Sequence, residues 1–343
     1  MIGIAVVGYG YWGPNLVRNL ADIASTKLVA VCDLQVDRLL QVQARYPGVR
    51  ITDNFDDILA DPAVDAVAIA TPVASHYRLA MGALMAGKHV FVEKPMAASV
   101  EEAQRLVDEA ARRGLVIAVD HTFMHTGAVR RMRQIVEESL GEVYYYDSVR
   151  VNLGLIQRDV NVLWDLAVHD LSIMDHVLRE RPVAVSATGM SHIAGRPETI
   201  AYLTLMFPSR LIAHIHVNWL APVKVRRTLI GGSSKMIVYD DLEPSEKIKV
   251  YDKGVVLSEA ETGSELYQAL VGYRTGDMWA PKIDVSEALA TELREFADCI
   301  ERGATPVSDG ECGLRIVRIL ESATQSLSQR GRMIDLEDAR KVA

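Results

Sequence analysis

The sequence predicts an α/β protein: a doubly wound parallel sheet in the N-terminal third, then an α+β domain with a large, mostly antiparallel sheet. Three observations carry this prediction. Up to about residue 120, short and nearly unbroken apolar strands alternate with amphipathic helical patterns. Beyond that point strand follows strand with few helices between them. A length of 343 residues also suits two domains better than one. The boundary is expected near residue 121, giving domains 1–121 and 122–343.

In the first domain the strands are placed at 2–7, 28–32, 66–70, 89–92 and 115–119, with a short addition at 48–52. Runs such as Ile4-Ala5-Val6-Val7 have no polar alternation, which fits strands covered by helices on both faces. Helices at 75–86 and 100–113 separate them. The second domain opens with a helix at 128–138, a strand at 142–153 and a helix at 163–177. Strands at 183–190, 199–207, 211–219, 225–230, 235–239 and 247–251 follow, and turn signals such as Pro208-Ser209 and Gly231-Gly232 make their pairing antiparallel. Helices at 285–302 and 311–328 close the pattern. The polar stretch Ser258–Lys282, carrying Tyr267, Tyr273 and Trp279, is placed as a loop that could lie over a ligand.

Composition narrows the function. The chain is 49% hydrophobic and 24% charged, the balance of a globular protein with substantial cores. A formal charge of −8 argues against nucleic acid as the main partner, which requires a basic field. Cys32, Cys299 and Cys312 are too widely spaced for a disulfide framework or a zinc site, and suit a reducing compartment. No leader pattern precedes the first strand and no apolar run is long enough for a bilayer, so a cytoplasmic protein without a membrane partner is expected.

The first strand runs into Gly8-Tyr9-Gly10-Tyr11-Trp12-Gly13, which opens a helix. Gly8 permits the tight turn, Gly10 lets the backbone approach a pyrophosphate, and Gly13 allows close helix–strand packing. The helix N-terminus offers free N–H groups and a positive dipole end to the phosphates. This is the Rossmann arrangement for a dinucleotide. Asp33 ends the second strand, 20 residues beyond Gly13, where a carboxylate accepts ribose hydroxyls and repels a 2′-phosphate, favouring NAD over NADP. Arg38 is the competing signal: it could accommodate a phosphate, or stand as a solvated surface charge. Thr71 and Pro72, at the carboxyl end of the fourth strand, are expected to touch the cofactor. His76 is read either as a cofactor contact or as a solvent-facing residue at a helix start.

The fifth strand leads into Glu93-Lys94-Pro95, where an ammonium could stabilise an alkoxide beside the nicotinamide, or where the two charges simply occupy a turn. Further on, Trp164-Asp165-Leu166-Ala167-Val168-His169 places Asp165 and His169 four apart on one helix face, with Ser172 and His176 continuing the stripe. That stripe is either functional or solvent-facing, and no third ligand supports a metal there.

A glycine-rich start, then Glu-Lys-Pro, then Asp165-x-x-x-His169, in this order and across nearly the whole chain, resembles the Gfo/Idh/MocA oxidoreductases. The resemblance implies that Lys94 contacts the substrate hydroxyl and the nicotinamide side, that His169 is the general acid/base, that Asp165 orients both, and that Glu93 lies toward the cofactor. Gly8 to Asn15, Asp120-His121-Thr122-Phe123 and Trp164-Asp165 are similar to the branch acting on nucleotide-linked sugars. The expected substrate is therefore a secondary hydroxyl of such a sugar, for example C3 of a UDP-hexosamine or its uronic acid. A free sugar or inositol is the nearest rival, and a non-catalytic NAD-binding sensor the alternative of another class. A homodimer or homotetramer through the second domain's sheet is implied as well. His125 departs from the tyrosine or arginine expected there and is a candidate substrate contact. Arg150 and Asn152 could meet the substrate or occupy the wetter face of a sheet, and Trp164 could wall the pocket or pack beneath the helix. His214, His216 and Asn218 share a strand face that could seat zinc but is read as an interface; no metal is expected.

Overall fold

The structure, a computed structural model, describes residues 1–154, 156, 160–255 and 273–336; Tyr267 and the side chain of Tyr273 lie outside the described residues. The chain forms two compact units, Met1–Thr126 with Ser286–Glu321, and Gly127–Val285 with Ser322–Ala343.

In the first unit, β1 (Ile2–Val7), β2 (Thr26–Cys32), β3 (Arg50–Thr52), β4 (Ala66–Ile69), β5 (His89–Glu93) and β6 (Ile117–Asp120) make one parallel sheet in the order β3-β2-β1-β4-β5-β6. Strand β1 and the apolar residues of β4 are wholly or nearly buried beyond Ile2, as covering on both faces requires. Helices α1 (Gly13–Asp22), α2 (Val36–Arg45), α3 (Phe55–Ala60), α4 (His76–Met85) and α5 (Val100–Arg113) connect the strands. Local chemistry sets their ends. The Ser99 hydroxyl accepts the Glu102 N–H at the start of α5, and Gly114 ends that helix in the left-handed conformation.

In the second unit, α6 (Gly127–Glu138) and β7 (Val143–Leu153) lead to a π-helical turn, Leu163–Ala167, continuous with α7 (Val168–Val177). Then come β8 (Ala184–Met190), β9 (Ile200–Met206), β10 (Ile212–Asn218), β11 (Leu220–Gly232), β12 (Met236–Asp240) and β13 (Ile248–Tyr251). With Met278–Trp279 at one edge and Ile334–Asp335 at the other, they form a nine-stranded sheet centred on β11-β7-β10. Only β7 and β10 pair in parallel; the other pairs are antiparallel. Trp279, expected in a loop, thus lies on an edge strand opposite Val250.

Helices α8 (Ala288–Arg302) and α9 (Gly310–Ser328) show why one boundary near residue 121 does not describe the chain. Leu289, Leu293 and Phe296 line one face of α8 and bury in the core of the first unit with Ile4, Leu16 and Phe91. The rings of Phe91 and Phe296 lie 5.6 Å apart. Periodicity reveals that apolar stripe but not which sheet it covers.

Candidate active site

The residues expected to hold a dinucleotide stand at the carboxyl ends of the first unit's strands. Gly8 has φ +98°, and a Cβ there would come within 2.5 Å of the Ala70 carbonyl oxygen. A Cβ on Gly13 would meet the Gly8 carbonyl oxygen at 2.1 Å, so this glycine lets α1 start directly against the turn. Gly10 differs: a Cβ there would meet nothing nearer than the Arg38 guanidinium at 3.6 Å. The protein itself does not require this glycine, and the open space fits a pyrophosphate at the N-terminus of α1.

Asp33 is buried just past β2. Its Oδ2 accepts the Tyr9 N–H at 2.6 Å and its Oδ1 the Gln35 N–H at 2.8 Å. These bonds tie the carboxylate to the glycine-rich turn and leave lone-pair capacity for a ribose hydroxyl. Arg38 is not simply a solvated surface charge: its Nη1 lies 3.3 Å from Asp33 Oδ2 and beside Gly10. Tyr11 is almost fully exposed, while the Trp12 indole donates to Asp120 Oδ2 at 2.7 Å and so pins the turn to the end of β6.

Thr71 is half-buried and Pro72 exposed after β4. His76 fits neither reading made from the sequence. It is buried, with Nε2 2.8 Å from the Thr71 carbonyl oxygen and Nδ1 2.9 Å from that of Pro95. Burial holds its pKa below the usual imidazole value. The ring bridges the turns after β4 and β5 and has no nitrogen left for a cofactor. In the second of those turns the Lys94–Pro95 peptide is cis.

His125, the candidate substrate contact, is buried in the first unit. Its Nδ1 lies 3.2 Å from Glu295 Oε2 and its Nε2 3.5 Å from Glu292 Oε1, next to the Ser308 hydroxyl. Both ring nitrogens serve this internal network, which sequence reasoning did not foresee.

In the second unit, the stretch 161–178 is buried except at Asp165, His169 and His176. Ser172, expected to extend the stripe, is buried and donates to the His169 carbonyl oxygen at 2.8 Å. Asp165 sits in the π-helical turn, whose wider winding is common at functional sites. Its Oδ2 accepts the Trp219 indole N–H at 2.9 Å. Trp219 was missed as a site residue; the one available signal was that a buried indole needs an acceptor. Trp164 packs beneath the helix, donating to Thr324 Oγ1 at 2.9 Å.

On β7 the expected faces are reversed. Ser148 and Arg150 point into the helix-covered side, where both bond the buried Asp170, with Arg150 Nε 2.6 Å from Oδ2. Leu153 is the residue that stands exposed. Arg150 is committed to an internal ion pair rather than offered to a substrate phosphate, and Asn152 follows it on the same face, half-buried. On the opposite face His216 stacks on Tyr202 at 4.4 Å, and His214 lies 3.5 Å from Asp147. Among the described residues no group of three or more potential ligands could hold a metal. A cleft of about 280 Å³ in this unit, between Arg130, Arg131 and Lys282, includes neither Asp165 nor His169.

Residues 2–121 match the model of an oxidoreductase family with an NAD-binding Rossmann fold, and residues 129–238 match the GFO/IDH/MocA C-terminal domain. The chain belongs to the Gfo/Idh/MocA oxidoreductase family. Family members similar to it include the scyllo-inositol 2-dehydrogenase (NADP(+)) IolW of Bacillus subtilis, 26% identical over 98% of this chain and 96% of the relative. The UDP-N-acetylglucosamine 3-dehydrogenase of Acidithiobacillus ferrooxidans is 27% identical over 91% of this chain and 93% of its own length. A solved structure of that enzyme, GnnA, covers 96% of this chain and 99% of its own at 25% identity, with a TM-score of 0.81. The chain is thus an oxidoreductase of a family that acts on sugars and polyols, with an NAD-binding Rossmann domain. No described helix is long and apolar enough to cross a membrane.

Proposed function

We propose that the protein is a cytoplasmic, NAD-dependent dehydrogenase that oxidises a secondary hydroxyl of a nucleotide-linked sugar to a keto sugar. The observation carrying this reading is the helix around Asp165: it buries everything except two histidines and the carboxylate that an indole N–H orients. Exposing polar groups there while fixing one of them suits proton transfer to a small ligand. The similarity to a UDP-N-acetylglucosamine 3-dehydrogenase over nearly full length supports the nucleotide-linked substrate. The similar IolW keeps a free inositol as second reading.

When bound, the nicotinamide supplies the hydride acceptor. His169 takes the hydroxyl proton, Lys94 donates a hydrogen bond to the oxygen as charge develops on it, and Asp165 holds the acid/base geometry. Glu93 stands on the cofactor side. Asp33 selects NAD, with Arg38 held against it.

The test follows NADH absorbance with UDP- and dTDP-sugars, free glucose and myo-inositol, with NADP in parallel. Selective turnover of a nucleotide sugar with NAD is expected. Lys94→Ala and His169→Ala should each lower kcat by about 10²–10⁴-fold while NAD binding persists; turnover surviving both changes would remove the assigned roles. Turnover confined to inositol would select the second reading.

The exposed sheet face carrying Tyr202, Met206 and His214 is where we place a homodimer or homotetramer contact. Light scattering should report more than one chain per particle, and Tyr202→Asp should shift it toward the monomer. A wild-type monomer at assay concentration would rule this contact out.

A further inference from the structure

Two buried tryptophans stand by the segment that carries Asp165, and their indoles are used differently. Trp164 directly precedes Asp165 in the chain yet donates away from it, to Thr324 Oγ1 at 2.9 Å. Trp219, 54 positions beyond Asp165, donates to Asp165 Oδ2 at the same 2.9 Å and is only 1% exposed. A buried indole N–H needs an acceptor. For Trp164 that need is met by a neutral hydroxyl, for Trp219 by a side chain of the acid/base segment itself.

Backbone bonds fix where the Trp219 indole points. Trp219 forms the corner between β10 and β11. Its N–H donates to the Thr199 carbonyl oxygen at 3.0 Å, and its own carbonyl oxygen accepts the Gly154 N–H at 3.0 Å. The preceding carbonyl oxygen, that of Glu198, accepts the Val162 N–H at 3.1 Å, just before the turn that bears Asp165. Asn161 Oδ1 fastens the start of that turn by accepting the Leu163 N–H at 3.1 Å. Two consecutive carbonyls ahead of β9 therefore hold both the donor and the turn bearing its acceptor. Donor and acceptor share one frame, although they lie far apart in the chain.

Gly154 adds a steric limit. It follows Leu153, which pairs with Leu220 across the β7–β11 ladder, and so lies beside Trp219. A Cβ on Gly154 would stand 2.4 Å from Trp219 Cδ1 and 3.0 Å from its Cγ. These are inner atoms of a buried ring, and close packing leaves such a ring little room to step aside. The φ of Gly154 is outside the left-handed region, so the indole and not the backbone requires glycine there. We propose that Trp219 is a positioning residue for the proton transfer, holding Asp165 through its indole N–H, with Gly154 and the Glu198 and Thr199 carbonyls setting its direction. This rests on the reading of Asp165 and His169 as the acid/base set. Its effect is indirect: it limits the orientations of a carboxylate whose helical segment carries His169 four residues on. Small displacements of such supporting groups are enough to slow a reaction.

The test is steady-state kinetics of Trp219→Phe, Gly154→Ala and Trp164→Phe, with NAD and the sugar turned over fastest in the substrate panel, each variant checked by a thermal melt. Trp219→Phe keeps an aromatic ring and removes the N–H. Its kcat should fall about 10- to 100-fold, while KM for the sugar and the affinity for NAD stay near the wild-type values. Gly154→Ala keeps the N–H but displaces it, and should lower kcat in the same manner by a smaller factor. Trp164→Phe also removes one buried indole bond, to a hydroxyl, and should retain the wild-type kcat. A folded Trp219→Phe with wild-type kcat would overturn the proposal; if that variant does not fold, wild-type kcat in Gly154→Ala would do so. An equal fall in kcat for Trp164→Phe, or a loss confined to KM, would overturn it as well, by making the role of Trp219 structural only. Turnover surviving both Lys94→Ala and His169→Ala would instead overturn the acid/base reading on which the proposal stands.

Discussion

The two units bury charge in opposite ways. In the second unit, Arg150 and Asp170 are both nearly inaccessible, and the carboxylate is shared between the guanidinium and the Ser148 hydroxyl. In the first, Asp120 and Glu292 are as deeply buried, and neutral donors meet them: the Trp12 indole and the Thr122 hydroxyl at Asp120, the Ser308 hydroxyl at Glu292. A matched pair can stay charged in a low dielectric, whereas burial pushes the carboxyl group of Glu292 well above the ordinary range. The first arrangement fixes a geometry, locking β7 to α7. The second leaves Glu292 readier to hold a proton than an exposed carboxyl group would be.

The largest effect should come from breaking the matched pair. Arg150→Met leaves Asp170 charged and unpaired in the core and should cost about 3–5 kcal/mol. The double change Arg150→Met with Asp170→Leu should recover much of this in urea unfolding. Equal losses in the single and double variants would mean that the two residues do not act as a pair.

A smaller effect, with a definite pH signature, belongs to the buried Glu292. The raised pKa of Glu292 means that the folded state binds more protons than the unfolded chain. Its contribution to stability is therefore full below the unfolded value of about 4.3 and is lost as pH rises through the folded value. Glu292→Gln cannot ionise and should flatten this decline, gaining on the wild-type protein toward alkaline pH. Thermal melts across pH would show it, and parallel profiles would mean that Glu292 does not bind its proton more tightly in the folded state.

Some of the site was legible residue by residue. Gly8, Gly13 and Asp33 occupy the positions their spacing demanded, because turn geometry, helix start and strand end are local properties. Other candidate residues have internal partners that lie far along the chain. His125 is bonded by residues about 170 positions later, and Arg150 by one 20 positions later on another element. Alternation along β7 correctly separated Ser148 and Arg150 from Val149 and Leu153, but not the side each faces. Polarity suggested the wet face, and the buried ion pair reversed it.

The sequence by itself determined the parallel sheet with its glycine-rich turn, the nine-stranded sheet's antiparallel run, and the placement of Asp165 and His169 on one continuous helical segment. Each depends on periodicities and turn chemistry spanning a few residues. Only the tertiary structure decided that α8 completes the first unit's core, that Trp219 orients Asp165, and that His125 lies between Glu292 and Glu295. Those outcomes depend on which apolar faces exclude water together, a choice made by the whole chain and not written in any one segment.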